Sequence, residues 1–241
     1  MTMTLTVCLK GSNGMVLACD SRGTFGDPRG TTAQNDNMVK LYKLSEYVGV
    51  LFAGSAEFAA TLIQDIRENQ DADPTSGITP IMNQIREVVI RKYTEWFPGF
   101  LPHPIQGRPA PIKPGLAITV GGYELNEDNI PNIQKIYSLN SANNFAPAYH
   151  DYGYALNGVA QYALYLLNRL YVPDMTVDCL THLGAYVISE TASQDGKVGG
   201  PVRIITISPE DGCLQLDPQH INDILSTNEA RTEDLKTLFR S

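Results

Sequence analysis

The sequence predicts an α+β fold in one domain over residues 1–241, with helices layered outside antiparallel sheets. Three observations carry that prediction. Strand patterns arrive as consecutive hairpins, not singly between helices. Helix patterns arrive in pairs, so the order is strands, two helices, strands, two helices, strand, helix. Apolar residues make up 43% of the chain and charged residues 18%, enough for a sizeable globular core.

The elements follow in order. Thr4–Leu9 and Met15–Asp20 read as two strands, and Asn13-Gly14 between them is a hairpin signal. Because side chains alternate, Thr4 and Asp20 share a face only if the turn is the three-residue loop Ser12-Asn13-Gly14. Residues 21–37 are rich in Gly, Thr, Asn and Asp and read as a loop or ragged strand. Lys40–Leu44 and Val48–Ala53 form another strand pair, after which Gly54-Ser55 opens a helix with Ala59, Leu62, Ile63 and Ile66 on its apolar stripe. Ile81–Tyr93 is a second helix, and Phe97–Pro114, with six prolines, is an extended loop. Leu116–Val120 and Gln134–Leu139 read as a strand pair turning at Gly121-Gly122-Tyr123. Gly158–Leu170 and Asp174–Ser189 are helical, Val202–Ser208 is a strand before an Asp211-Gly212 turn, and Pro218–Phe239 holds one or two helices.

Composition removes several function classes. Lys+Arg 18 against Asp+Glu 26 gives a net charge of −8, which argues against nucleic-acid or anionic-membrane partners. Cys8, Cys19, Cys179 and Cys213 lack metal-site or disulfide spacing, and His103, His150, His182 and His220 share no ligand spacing. Gly23, Gly26 and Gly30 lack the strand–helix context of a phosphate loop, so no metal or other cofactor is expected. Residues 1–10 carry no signal-peptide pattern, and no stretch approaches the ~20 apolar residues of a membrane helix; the expected compartment is the cytoplasm.

The chemistry-bearing residues sit at strand ends near the N-terminus. Thr4 opens the first strand, Asp20 ends the second, Lys40 opens the third and Gly54 ends the fourth. Around them, Thr4-Leu5-Thr6-Val7, Val16–Thr24 (VLACDSRGT), Lys40-Leu41-Tyr42-Lys43-Leu44 and Ala53-Gly54-Ser55-Ala56 follow one another at characteristic spacing. Gly121-Gly122-Tyr123 with Ile136–Leu139, and Gln194–Gly200 (QDGKVGG), extend the pattern. Over residues 4–210 the chain resembles the proteasome β-subunit family of N-terminal nucleophile hydrolases.

That resemblance implies a four-layer αββα sandwich and a threonine-type peptidase or amidohydrolase. Thr4 would be the nucleophile, its free α-amine the base, Lys40 and Asp20 the tuning pair and Gly54 the oxyanion donor; Asp195 matches a further catalytic position, and Thr24 would bind substrate backbone. The implied partners are further copies of the chain in a ring or related assembly, a peptide or protein substrate and, optionally, an ATP-dependent unfoldase. Two serine positions depart from the pattern, as does the turn after Gly54, which lacks the family's Asp: Val198 replaces one serine, and the second falls on Gly158, or on Asn157 with one gap. Asp20 with Lys40 also reads as a structural ion pair, and Asp195 as a turn or cap residue. Two further functions stay open: a non-catalytic ring subunit, and an enzyme that passes the acyl group to an amine. Thr2, on the same strand face, is the alternative start.

Overall fold

Leu5–Lys10 (β1) and Met15–Cys19 (β2) are almost wholly buried, as strands covered on both faces must be. In the computed structural model, which describes residues 4–26, 32–68, 76–97 and 114–240, they lie inside an antiparallel five-stranded sheet. Its order is β10-β1-β2-β11-β12, with β10 Tyr154–Gly158, β11 Arg203–Ser208 and β12 Gly212–Gln215. A second five-stranded antiparallel sheet, β5-β6-β7-β8-β9, is built from Leu41–Ser45, Val48–Gly54, Leu116–Leu125, Pro131–Asn140 and Ala148–Tyr149. Between β2 and β5 the short strands β3 (Gly23–Gly26) and β4 (Thr32–Asn35) pair with each other.

Three cores fix the layer order. Leu5, Val7, Leu9, Val16 and Ala18 pack on α3 (Ala160–Leu170), α4 (Val177–Gln194) and α5 (Pro218–Leu238). Val48, Val50, Phe52, Ile118 and Val120 pack on α1 (Ala56–Glu68) and α2 (Ile78–Trp96). The intervening residues of the same strands, Cys8, Met15, Leu17, Cys19, Leu51 and Tyr123, meet between the sheets. Period-two alternation thus sends each strand's two faces into two cores, and the result is the expected α+β sandwich of four layers.

Local departures from the sequence reading have physical causes. Gly121 and Gly122 lie inside β7 and do not turn the chain; the turn is at 126–130. Gly121 faces the inter-sheet core, where a Cβ would come within 2.6 Å of Cys8 Sγ. It is there for close approach of the sheets. The β1–β2 loop has four residues, not two or three: Lys10 pairs with Met15 and Thr6 with Cys19. Tertiary bonds set that length, because Asn13 Oδ1 accepts Val177 N at the start of α4 (2.8 Å) and Ser12 N donates to Met175 O (2.9 Å). Residues 154–158 form a strand before the third helix, and the last helix is single. Residues 98–113 of the proline-rich stretch lie outside the described residues. Among the described residues no helix is long and apolar enough to cross a membrane.

Candidate active site

Asp20 follows the last residue of β2 and Lys40 precedes the first of β5, so each sheet delivers one charge to the end of β1. Register places Asp20 opposite Leu5, since Asp20 N donates to Leu5 O (3.2 Å). Strict alternation would turn its side chain to the helix face. Beyond the strand end that constraint lapses, and the carboxylate folds over the start of β1. Its Oδ1 accepts Thr4 Oγ1 at 2.5 Å, Leu5 N at 3.0 Å and Lys40 Nζ at 2.6 Å. The requirement for a three-residue loop therefore falls, while the Thr4–Asp20 contact it was meant to permit is present.

Lys40 Nζ donates also to the Thr4 hydroxyl and to Arg22 O (2.6 Å), which occupies its three protons. The lysine is 5% exposed and Asp20 fully buried, so this is an ion pair inside the protein, not a surface pair. Burial lowers the Lys40 pKa from its usual value, and the neighbouring Asp20 carboxylate partly restores it. The second carboxylate oxygen, Oδ2, accepts Arg22 N (3.2 Å) and Gly199 N (3.1 Å). Five donors thus fix one buried carboxylate in place.

Gly54 closes β6 with φ +122°, and a Cβ there would strike the Gly115 carbonyl. Phe52 N donates to Lys40 O. Alternation along β6 then points the Gly54 N–H, two residues on, to that same edge. Thr24 lies on β3 opposite Gln34, and its hydroxyl is buried without a hydrogen-bond partner among the described residues. Asp195 stands apart from this cluster: its carboxylate caps the turn after α4 by accepting Lys197 N (3.0 Å), and its carbonyl accepts Val198 N (3.0 Å). It reaches the site only through the loop that carries Gly199.

The two departures at the family serines have structural reasons. Val198 is fully buried in the helix-side core with Ala18 and Ile188. Gly158 has φ +98° and pairs with Leu5, and a side chain there would run into the Thr4 carbonyl, which accepts Val159 N at 2.8 Å. Asn157 turns inward and donates to Thr119 of the facing sheet (2.6 Å). The groups missed from sequence are mostly backbone: Leu5 N, Arg22 N and O, and Gly199 N. Arg22 and Gly199 lie inside motifs already noted, but nothing in those motifs announces a main-chain role.

Comparison with known proteins bears on the family resemblance and the fold. A family model described as proteasome subunit matches residues 2–73, the stretch that holds Thr4, Asp20, Lys40 and Gly54. The chain is 22% identical over 233 residues to the proteasome subunit beta of Methanopyrus kandleri, covering 92% of this chain and 95% of that one. The structure of Anbu, an ancestral β-subunit, from Yersinia bercovieri superposes with a TM-score of 0.71 at 15% identity, covering 98% and 97% of the two chains. A structure described as the helical assembly of the Anbu complex from Pseudomonas aeruginosa gives 0.66 at 18% identity, covering 98% and 96%. The resemblance drawn from the motifs stands, and the fold is that of proteasome-like and Anbu subunits.

Proposed function

We propose that the chain is a proteasome-like subunit acting as a threonine-type peptidase, with Thr4 as its mature N-terminus. One observation carries the reading: the Thr4 hydroxyl is shared between the Lys40 ammonium and a carboxylate, Asp20. A threonine hydroxyl is a poor nucleophile without a base. Loss of residues 1–3 would supply one, an α-amine with an unperturbed pKa of ~7.7–8.0. The amine takes the hydroxyl proton as Oγ1 attacks the peptide carbonyl. Lys40 stabilises the alkoxide, and Asp20 and Arg22 O keep the ammonium fixed.

The carbonyl oxygen gains charge next to the Gly54 N–H. Collapse breaks the C–N bond, and the Thr4 α-ammonium returns its proton to the leaving amine. Water then hydrolyses the Thr4 ester and restores the hydroxyl. The partnerless Thr24 hydroxyl and the short β3–β4 sheet support binding of the substrate as an added strand. Asp195 serves by shaping the loop that holds Gly199. Self-association is part of the proposal, as is a cytoplasmic location, with which four free thiols accord. An ATP-dependent unfoldase is the corresponding partner for folded substrates.

A second reading, a non-catalytic ring subunit, is favoured by Val198 and Gly158, where the family serines are replaced. Peptide hydrolysis by protein beginning at Thr4, compared with Thr4→Ala and with protein retaining Met3, separates the two. Turnover confined to the free Thr4 form supports the enzyme; equal, background-level turnover in all three supports the structural subunit. Ester or amide products formed with an added amine nucleophile would instead indicate acyl transfer.

A further inference from the structure

Arg22 is bound to both members of the charged pair through its main chain: its N–H donates to Asp20 Oδ2 (3.2 Å) and its carbonyl accepts Lys40 Nζ (2.6 Å). Its side chain reaches in another direction. Nε and Nη2 meet the two oxygens of Asp36 at 2.7 and 2.8 Å, a bidentate fork, and Nη1 donates to Gly196 O at 2.9 Å. Gln34 of β4 donates to the same carbonyl at 3.1 Å. The guanidinium lies over Gly199, where a Cβ would come 2.6 Å from Cζ. Gly199 is also the residue whose N–H donates to Asp20 Oδ2.

We infer that Arg22 is a positioning residue, its Asp36-locked guanidinium holding the 196–200 loop so that the Gly199 N–H stays on Asp20. The inference rests on the threonine-nucleophile reading. An isolated ion pair of this exposure, 21% and 42%, would contribute little. Here the fork is planar, engages three acceptor atoms and joins two segments, the β4 end and the α4–β11 loop, beside the site. Losing it frees the loop, removes one of two donors from Asp20 Oδ2, and lets the carboxylate and Lys40 drift from Thr4. Because Arg22 does not reach the nucleophile through its side chain, the rate should suffer before substrate affinity does.

The test uses protein beginning at Thr4, in wild-type, Arg22→Met and Asp36→Asn forms. Amide hydrogen exchange reports on the loop, and an epoxyketone peptide reports on Thr4. At Gly199 the exchange rate should rise at least ~10-fold in Arg22→Met, with Val7 and Leu17 unchanged. The saturating rate of Thr4 modification should fall ~10-fold while the half-saturating concentration stays within about twofold. Asp36→Asn should change both in the same direction by less, and it carries the test if Arg22→Met does not fold. Unchanged Gly199 exchange, or lost protection with an unchanged modification rate, overturns the proposal. A wild-type chain with a free Thr4 amine that never reacts overturns the threonine reading itself. The exchange arm then still decides whether Arg22 holds the loop.

Discussion

Lys40 Nζ lies 2.6 Å from Asp20 Oδ1, and the two residues come to that distance from opposite sheets. The inter-sheet layer is therefore a positioning device as well as a core. What sets the sheet separation also sets the distance between the charges that flank Thr4.

The first prediction follows from that coupling. In Gly121→Ala the new methyl meets Cys8 Sγ, and overpacking should cost ~1–3 kcal/mol. Adding Cys8→Ala should recover part of the loss, with a coupling of at least ~0.5 kcal/mol in a double-mutant cycle. Denaturant unfolding of the four proteins measures it; strict additivity would mean that the sheets do not meet through this contact.

Removing one charge of the buried pair should be worse than removing both. Lys40→Met leaves Asp20 buried without its cation, a loss of ~3–5 kcal/mol, whereas Lys40→Met/Asp20→Asn should be more stable than the single variant. Both should lower turnover at least ~10²-fold. A folded Lys40→Met with unchanged turnover would demote the pair to a structural one.

Much of this site was legible in the sequence because Thr4, Asp20, Lys40 and Gly54 lie where strands begin or end, and hydrophobic alternation marks those ends well. Helices layered outside antiparallel sheets were legible too, once hairpins and helix pairs were separated, while the count of four layers came from the family resemblance. What escaped depended on tertiary contacts. Asn13-Gly14 is a turn signal, but Asn13 is occupied in holding the α4 N-terminus, and the loop lengthens accordingly. Gly121 looks like a turn and is a close contact. Residues 154–158 are too short and too mixed to announce a strand, and pair with β1 only because Gly158 tolerates the Thr4 carbonyl beside it. Asp195 sits at the matched position and its carboxylate binds its own turn, the turn-or-cap alternative the sequence also offered; spacing alone does not choose between the two.

Reinstating the family serines should not help this chain. Gly158→Ser forces a side chain onto φ +98° and into the Thr4 carbonyl, a strain of ~1–3 kcal/mol before the clash is counted. Val198→Ser places a hydroxyl in the helix-side core at a cost of ~1–3 kcal/mol. Thermal unfolding should show both losses, and neither variant should hydrolyse peptide faster than wild type. A rate gain in either would show that the missing serines limit catalysis.

Alkaline pH should destabilise the fold through its buried thiols. Burial pushes the Cys19 and Cys213 thiols up to about 12 and raises Cys8 as well. Unfolded thiols ionise near ~8.5, so the stabilisation is complete below that pH and is lost as pH rises towards the folded values. Lys40, lowered by burial, acts with the opposite sign, adding stability as pH rises towards ~10.4. Unfolding free energies from urea titrations between about pH 8.5 and 10 should fall, by up to ~1.4 kcal/mol per pH unit for each thiol. In Cys8→Ala/Cys213→Ala the slope should be shallower; an identical slope would contradict the assignment.

The central claim is that Thr4 acts with its own free amine, and one adduct tests it. An epoxyketone has two electrophilic centres and can close a ring on an amine and a hydroxyl carried by adjacent carbons, which a nucleophile inside the chain cannot offer. Protein beginning at Thr4 should gain one adduct per subunit at about pH 8, where an unperturbed α-amine is about half neutral. Tandem mass spectrometry should place it on the N-terminal residue. Thr4→Ala and protein retaining Met3 should gain none. If the free-amine form stays unmodified under conditions that modify an active proteasome, Thr4 is not the nucleophile and the chain is a structural subunit.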